Sequence, residues 1–201
     1  MSEFLARRRI ALSRAAAVVL GIALLCVTSR MAEGSAGHDL FKVLSYVLLI
    51  LAVLGRTWCS VYIGGHKGRA VISAGPFSVV RNPLYVFSFL GVIGIGLASG
   101  TITVPIVLCL LFVAYYSAVV RHEERVLSES LGQAYRDYMA RVPRWLPDFT
   151  LWRDDQQLQV RPRAVYVTMR DSAWFFVALP GFEVIERLQA MGYLPVLFHL
   201  P

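Results

Sequence analysis

An all-α polytopic membrane helical bundle, with about four core transmembrane helices and a cytoplasmic helical cap at its carboxyl end, is the fold this sequence predicts. Three observations predict it. The 201-residue chain is 57% hydrophobic and only 16% charged, against about 25% charge in a soluble domain. Its apolar residues gather in runs near the ~20-residue length that crosses a bilayer. Its net charge of +7 falls between those runs on alternating loops, as the positive-inside rule requires. The same scatter argues against a nucleic-acid partner, which needs a compact basic face.

Residues 10–29 form the first expected span. Arg7, Arg8 and Arg9 precede it as they would a secretory leader, but the run has span length rather than leader length; cleavage after Ala32 is the alternative. Residues 40–55 form the second, short unless Trp58 and Tyr62 extend it as interfacial anchors. Residues 83–98 and 102–120 form the third and fourth, joined by a connection too short for anything but a tight hairpin. Arg7, Arg8, Arg9 and Arg14 flank the first span; Arg56, Lys67, Arg69 and Arg81 lie between the second and third; the third hairpin has no base, and basic residues are dense after Val120. The amino terminus, the second-to-third loop and the segment after the fourth span are therefore expected in the cytoplasm.

Composition shifts after Pro147, dividing the chain into a membrane core with a cytoplasmic site, residues 1–147, and a cytoplasmic or interfacial extension, residues 148–201. Residues 159–169 read as short extended or irregular structure. Pro180-Gly181 breaks the following apolar stretch, and Glu183, Glu186 and Arg187 make a full span costly; an in-plane amphipathic helix or re-entrant cover is expected instead. Cys26, Cys59 and Cys109 lack the C-x-x-C spacing of a metal or redox site and the histidines are scattered, so no metal site is expected.

Three motifs can carry chemistry. Gly75-Pro76 punctuates a loop, and Asn82 followed by Pro83 has the signature of an N-cap and first helical residue. That helix end is either a capped membrane helix with Arg81 reaching the headgroups, or an anion site for a cofactor carboxylate, with Arg81 adding fixed positive charge. Gly94-Ile95-Gly96 allows either close helix packing or close approach of a ligand to the backbone. Arg121-His122-Glu123-Glu124 ends the fourth span, either as a solvated charge cluster or as negative partners for a cationic ligand. Gly132 suits a helix C-cap, and Tyr135 and Tyr138 follow on a short helix ending near Val142-Pro143; their rings are interfacial anchors or faces for a cation.

Taken in order, Gly75-Pro76-Phe77, Arg81-Asn82-Pro83-Leu84-Tyr85, Gly94-Ile95-Gly96, the hairpin, Glu123-Glu124, Leu131-Gly132 with Tyr135 and Tyr138, and Val142-Pro143 with Leu146-Pro147 resemble the integral membrane methyltransferases. That superfamily includes isoprenylcysteine carboxyl methyltransferase and the phospholipid N-methyltransferases. The resemblance covers residues 56–147. It implies an S-adenosylmethionine site at the cytoplasmic membrane face, built from Arg81, Asn82, Pro83, Tyr85, Gly94, Gly96, Glu123, Glu124, Tyr135 and Tyr138, and a lipid-like or prenylated substrate. Arg121 or Arg136 would orient an anionic acceptor, with Glu124 completing the catalytic set. The family usually has His where this chain has Asn82. Asparagine cannot carry charge, which tilts the expectation toward a pre-ionised acceptor and carboxyl O-methylation, with phospholipid N-methylation as the alternative. A sterol-type NADPH reductase carries a similar Arg-x-Pro-x-Tyr segment followed by an acid, absent from Tyr85-Val86-Phe87-Ser88. A non-enzymatic membrane lipid-binding protein is the remaining alternative.

Overall fold

The computed structural model describes residues 27–29, 35–63 and 70–200. Helix dominates them. Helix α1 (Ala36–Ile63) is followed in chain order by the short α2 (Pro76–Val79), then α3 (Pro83–Leu97), α4 (Thr103–Leu131), α5 (Gln133–Arg141), α6 (Pro162–Ala173) and α7 (Ala178–Ala190). Single 3₁₀ turns occupy Phe149–Leu151 and Trp174–Val177. Strands β1 (Val27–Ser29) and β2 (Phe198–Leu200) pair in parallel, Thr28 opposite His199.

The expected first span lies outside the described residues except for its last three, and these form β1 rather than helix. The proposed cleavage after Ala32 also lies outside them. The second span is longer than expected: α1 has 28 residues, because Trp58 and Tyr62 continue the helix and pack edge-to-face with ring centroids 6.1 Å apart. Helix α4 runs on through the acidic pair for 29 residues. At ~1.5 Å per residue both long helices exceed the ~30 Å hydrocarbon core. Their outward residues, Leu40, Val43, Leu54, Ile106, Leu110 and Val113 among them, are exposed, as lipid-facing surfaces are. Helix α3, with 15 residues, is shorter and central: α1 and α4 both pack on it. Its glycines permit this. A side chain at Gly96 would run into the Pro105 backbone, and Gly94 backs onto Leu49, while its carbonyl accepts a hydrogen bond from Ser45 Oγ at 2.7 Å.

The tail takes a different course from the one its composition suggests. Residues 159–161 are irregular as expected, but residues 162–169 are helical: Pro162 stands at the first turn of α6, where its missing N–H costs nothing. Pro180-Gly181 does not end the helical path either. Pro180 is the third residue of α7, and the backbone tightens to a 3₁₀ turn just before it, where a proline would otherwise crowd the carbonyl four residues back. The combined segment runs antiparallel to α1, since Ser172 meets Arg56, Leu179 packs with Leu49, and Glu186 pairs with Lys42 at 3.6 Å. The stripe that makes this contact is Val165, Thr168, Ser172, Phe175, Leu179, Phe182 and Glu186, every one at least partly buried. Its alternating steps of three and four are coiled-coil spacing. Of the three charges expected to keep it off the bundle, Glu186 is matched by Lys42.

Candidate functional site

The Pro83 end of α3 is shaped by strand-like hydrogen bonding between two loops. Arg81 N donates to Pro143 O at 2.8 Å, Asp148 N to Val79 O at 2.9 Å, and Gly75 N to Arg153 O at 2.7 Å. Gly75 has φ 55°, a left-handed conformation, and its missing side chain leaves room for the Tyr62 ring. Trp152 stacks on Trp58 with centroids 5.8 Å apart. Residues 74–82 are thereby clamped between α1 and the chain that follows α5. At Gly132, φ 63° turns the chain from α4 into α5. Helix α5 then lays Tyr135 and Tyr138 into an apolar cluster with Val142, Leu127 and Leu131.

This brings Arg81, Asn82, Glu124 and Arg144 together. Glu124 is only 4% exposed. One of its oxygens takes Arg81 Nη1 at 3.2 Å and Asn82 Nδ2 at 3.3 Å; the other takes Arg144 Nη2 at 2.8 Å and Nε at 3.0 Å. The carboxylate also lies at the amino end of α3, where the helix dipole favours negative charge. Asn82 holds the N-cap position but makes no side-chain cap. Its amide donates instead to Glu124 and, at 3.3 Å, to Arg144 O. That corrects the expected capping role: the side chain is spent on joining α3 to α4 and to the loop after α5. Two guanidiniums against one carboxylate leave the cluster with an excess positive charge. Arg81 Nε is buried with no acceptor among the described residues.

Glu123 faces elsewhere. Tyr85 Oη donates to its carboxylate at 3.0 Å, and no cation lies within ion-pair distance of it among the described residues. The Tyr85 ring packs on Tyr116 with centroids 5.0 Å apart, and Tyr116 stacks on Phe112 at 4.2 Å. Beside Arg81 an open groove of about 580 Å³ is lined by Met139, Arg141, Val142, Pro143 and Phe149.

Other expected site residues stand beside this centre or away from it. Tyr138 is 2% exposed and donates to Phe77 O at 2.8 Å. Burial pushes its hydroxyl well up from the usual phenol range; burial first, and then the Glu124 charge, push Tyr135 up to about 12. Arg121 is exposed, as is Arg136, which bonds Gln133 at 3.0 Å. Gly94 and Gly96 lie roughly 17–20 Å along α3 from Pro83 by helical rise, against Leu49 and Pro105. Sequence reasoning missed Arg144, although it occupies an open position of the Val142-Pro143 to Leu146-Pro147 motif. It also missed Tyr116, which lies seven residues, two turns, before Glu123 on one face of α4.

Two long apolar helices on a short glycine-bearing one, with a charged centre at one end, have the architecture of a membrane-type helical bundle. Residues 41–134 match the family model for phospholipid methyltransferase. The nickel-cobalt-cadmium resistance protein NccN of Alcaligenes xylosoxydans xylosoxydans is 31% identical over 201 residues, covering 100% of this chain and 93% of that protein. The cobalt-zinc-cadmium resistance protein CzcN of Cupriavidus metallidurans is 33% identical over 189 residues, covering 92% of this chain and 87% of its own length. No solved structure matches. The chain belongs to the phospholipid methyltransferase family.

Proposed function

We propose that this protein is an S-adenosylmethionine-dependent methyltransferase for a lipid-like or prenylated acceptor, working at the cytoplasmic membrane face, with carboxyl O-methylation favoured. The observation that carries the reading is the division between the adjacent glutamates. Glu124 is already neutralised by Arg81 and Arg144, whereas Glu123 has a phenol donor and, among the described residues, no cation. The site therefore offers a positive pole and a negative pole, which suits a zwitterionic amino-acid end next to a sulfonium. Glu123 with the Tyr85 and Tyr116 rings would hold the cationic groups. The unpaired Arg81 Nε–H and the outer face of Arg144 would hold the carboxylate. The groove lined by Met139 and Phe149 would take the nucleoside.

When bound, S-adenosylmethionine supplies an electrophilic methyl group. The protein's own part is to align and to exclude water, which proximity can make worth about 7–11 kcal/mol at the upper end. No side chain here need take a proton from a carboxylate acceptor, and Asn82, committed to Glu124, is unable to. Phospholipid N-methylation would need a base, and Glu123, a carboxylate without an ion-pair partner among the described residues, could serve. The relatives are named for resistance to nickel, cobalt, zinc and cadmium. In this reading any such contribution of this chain runs through a methylated membrane constituent. Calorimetric titration of purified protein with S-adenosylmethionine and with NADPH tests the cofactor. Methyl transfer from labelled S-adenosylmethionine to a prenylcysteine analogue and to phosphatidylethanolamine, across pH 6 to 9, tests the acceptor. Binding of NADPH alone, or no methylation of any membrane lipid, would overturn the proposal.

A further inference from the structure

Arg56 is a guanidinium in the wrong place for a lipid-facing helix. It lies well inside α1, and instead of extending toward the end of the helix it turns inward. Its Nε donates to Ser172 Oγ of α6 at 2.8 Å and its Nη1 to Ser88 Oγ of α3. Phe175 covers it at 5.8 Å from ring centroid to guanidinium carbon. No carboxylate pairs with it among the described residues. Arginine stays charged in any such setting, and two hydroxyls satisfy only part of its five-donor fork. An ionised side chain held inside a span marks a binding or transport function by default.

Its position is specific. Ser88 is five residues into α3 from Pro83, so Arg56 lies roughly 8 Å along the axis from the Asn82–Glu124 cluster. Its charge acts on the Tyr85 and Tyr116 phenols, the same rings that border Glu123. The α6–α7 segment that completes the Arg56 setting lies beyond the family-matched residues 41–134, yet within the stretch aligned with NccN.

We propose that Arg56, set by Ser88 and Ser172 and roofed by Phe175, is the recognition site for the anionic group of a membrane amphiphile, a carboxylate or a phosphate, whose apolar tail lies along α1 and α3. The proposal deepens the methyl-transfer reading and rests on it for one point only, that the amphiphile is the methyl acceptor. A carboxylate held there is the nucleophile itself; a phosphodiester held there leaves the rest of its headgroup facing Tyr85 and Glu123.

The test uses the full chain in micelles of dodecyl maltoside, a detergent with no anionic group. The probes are N-acetylfarnesylcysteine, its neutral methyl ester, dodecyl phosphate and inorganic phosphate. Both anionic amphiphiles should bind roughly tenfold or more tighter than the ester, the scale of a charge-assisted pair. Arg56→Gln should abolish that preference and leave ester affinity in place, and Glu123→Gln should keep the preference. In the wild type, phenylglyoxal labelling of Arg56, read by peptide mass spectrometry, should be slowed by the acid and not by the ester; this arm needs no variant to fold. Equal affinities for acid and ester, equal labelling, or a preference that survives Arg56→Gln overturns the proposal. Protection by inorganic phosphate at the same concentration overturns the membrane source of the anion. S-adenosylmethionine binding is measured on the same samples. Its absence alongside intact acid protection would remove the methyl-transfer reading and leave the Arg56 site standing.

Discussion

Replacing Glu124 by Gln separates the roles of the two glutamates by stability and by binding. The wild-type carboxylate is 5% exposed at its side chain and holds Arg81, 13% exposed, and Arg144, 39% exposed. Removing one member of a buried pair costs about 3–5 kcal/mol, because the remaining charge stays desolvated. The Arg144 share must be discounted for solvent screening, and the Gln carbonyl still accepts from Asn82. The expected loss is therefore ~2–4 kcal/mol. In a chain of this size that is roughly 4–16 °C in Tm. Glu123→Gln exchanges a charged acceptor for a neutral one opposite Tyr85, a loss of about 1 kcal/mol. Its effect on S-adenosylmethionine affinity should be the larger one, roughly tenfold or more. Thermal unfolding in detergent, paired with calorimetric titration of each folded variant, reads both quantities. The reverse order, with Glu123→Gln the less stable protein and Glu124→Gln the weaker binder at wild-type stability, would refute the division of roles.

Gly75→Ala should lower stability by about 2–4 kcal/mol, combining the left-handed conformation with intrusion on the Tyr62 ring; an unchanged unfolding midpoint would contradict the tight packing at that turn. Tyr138→Phe removes the bond to Phe77 O and should cost ~0.5–1.5 kcal/mol with S-adenosylmethionine affinity unaltered, whereas a tenfold loss of affinity would place Tyr138 in the cofactor site. Leu179→Ala should cost about 2–5 kcal/mol, since Leu179 is 7% exposed and packs with Leu49 and Ala98; a neutral result would mean that the tail is not docked along α1. Tyr135, pushed up from 10.0 to about 12, binds its proton more tightly folded than unfolded, so its contribution is complete below pH 10 and fades as pH rises toward 12. Absorbance titration of Tyr135→Phe against wild type should show one fewer late-titrating phenol, and an equal count would remove that assignment.

Much of the architecture was legible because it is written in local terms. Apolar runs of span length gave α1 and α4, Asn82-Pro83 gave the start of α3, and Gly132 gave the turn into α5. The tail was misread for an equally local reason. Thr168 and Ser172 interrupt the apolar stripe, and Pro180-Gly181 has the composition of a break, so the repeat from Val165 to Glu186 does not stand out as hydrophobic periodicity. Its polar members find partners only across space, Ser172 with Arg56 and Glu186 with Lys42.

By itself, the sequence determined a helical bundle with apolar helices of span length and singled out residues 81–85 and 121–124 as its charged motifs, because helix length, punctuation and motif order are properties of neighbouring residues. Only the tertiary structure decided what each charge does. Adjacent residues on an α-helix point about 100° apart, so Glu123 and Glu124, indistinguishable in the chain, meet different elements. One reaches Tyr85. The other is buried against Arg81, Asn82 and Arg144, which come from two separate loops. Arg56 likewise reads as one more loop base until α3 and α6 close on it. Which ions pair and which remain available is fixed by contacts between distant segments, and no local pattern encodes that.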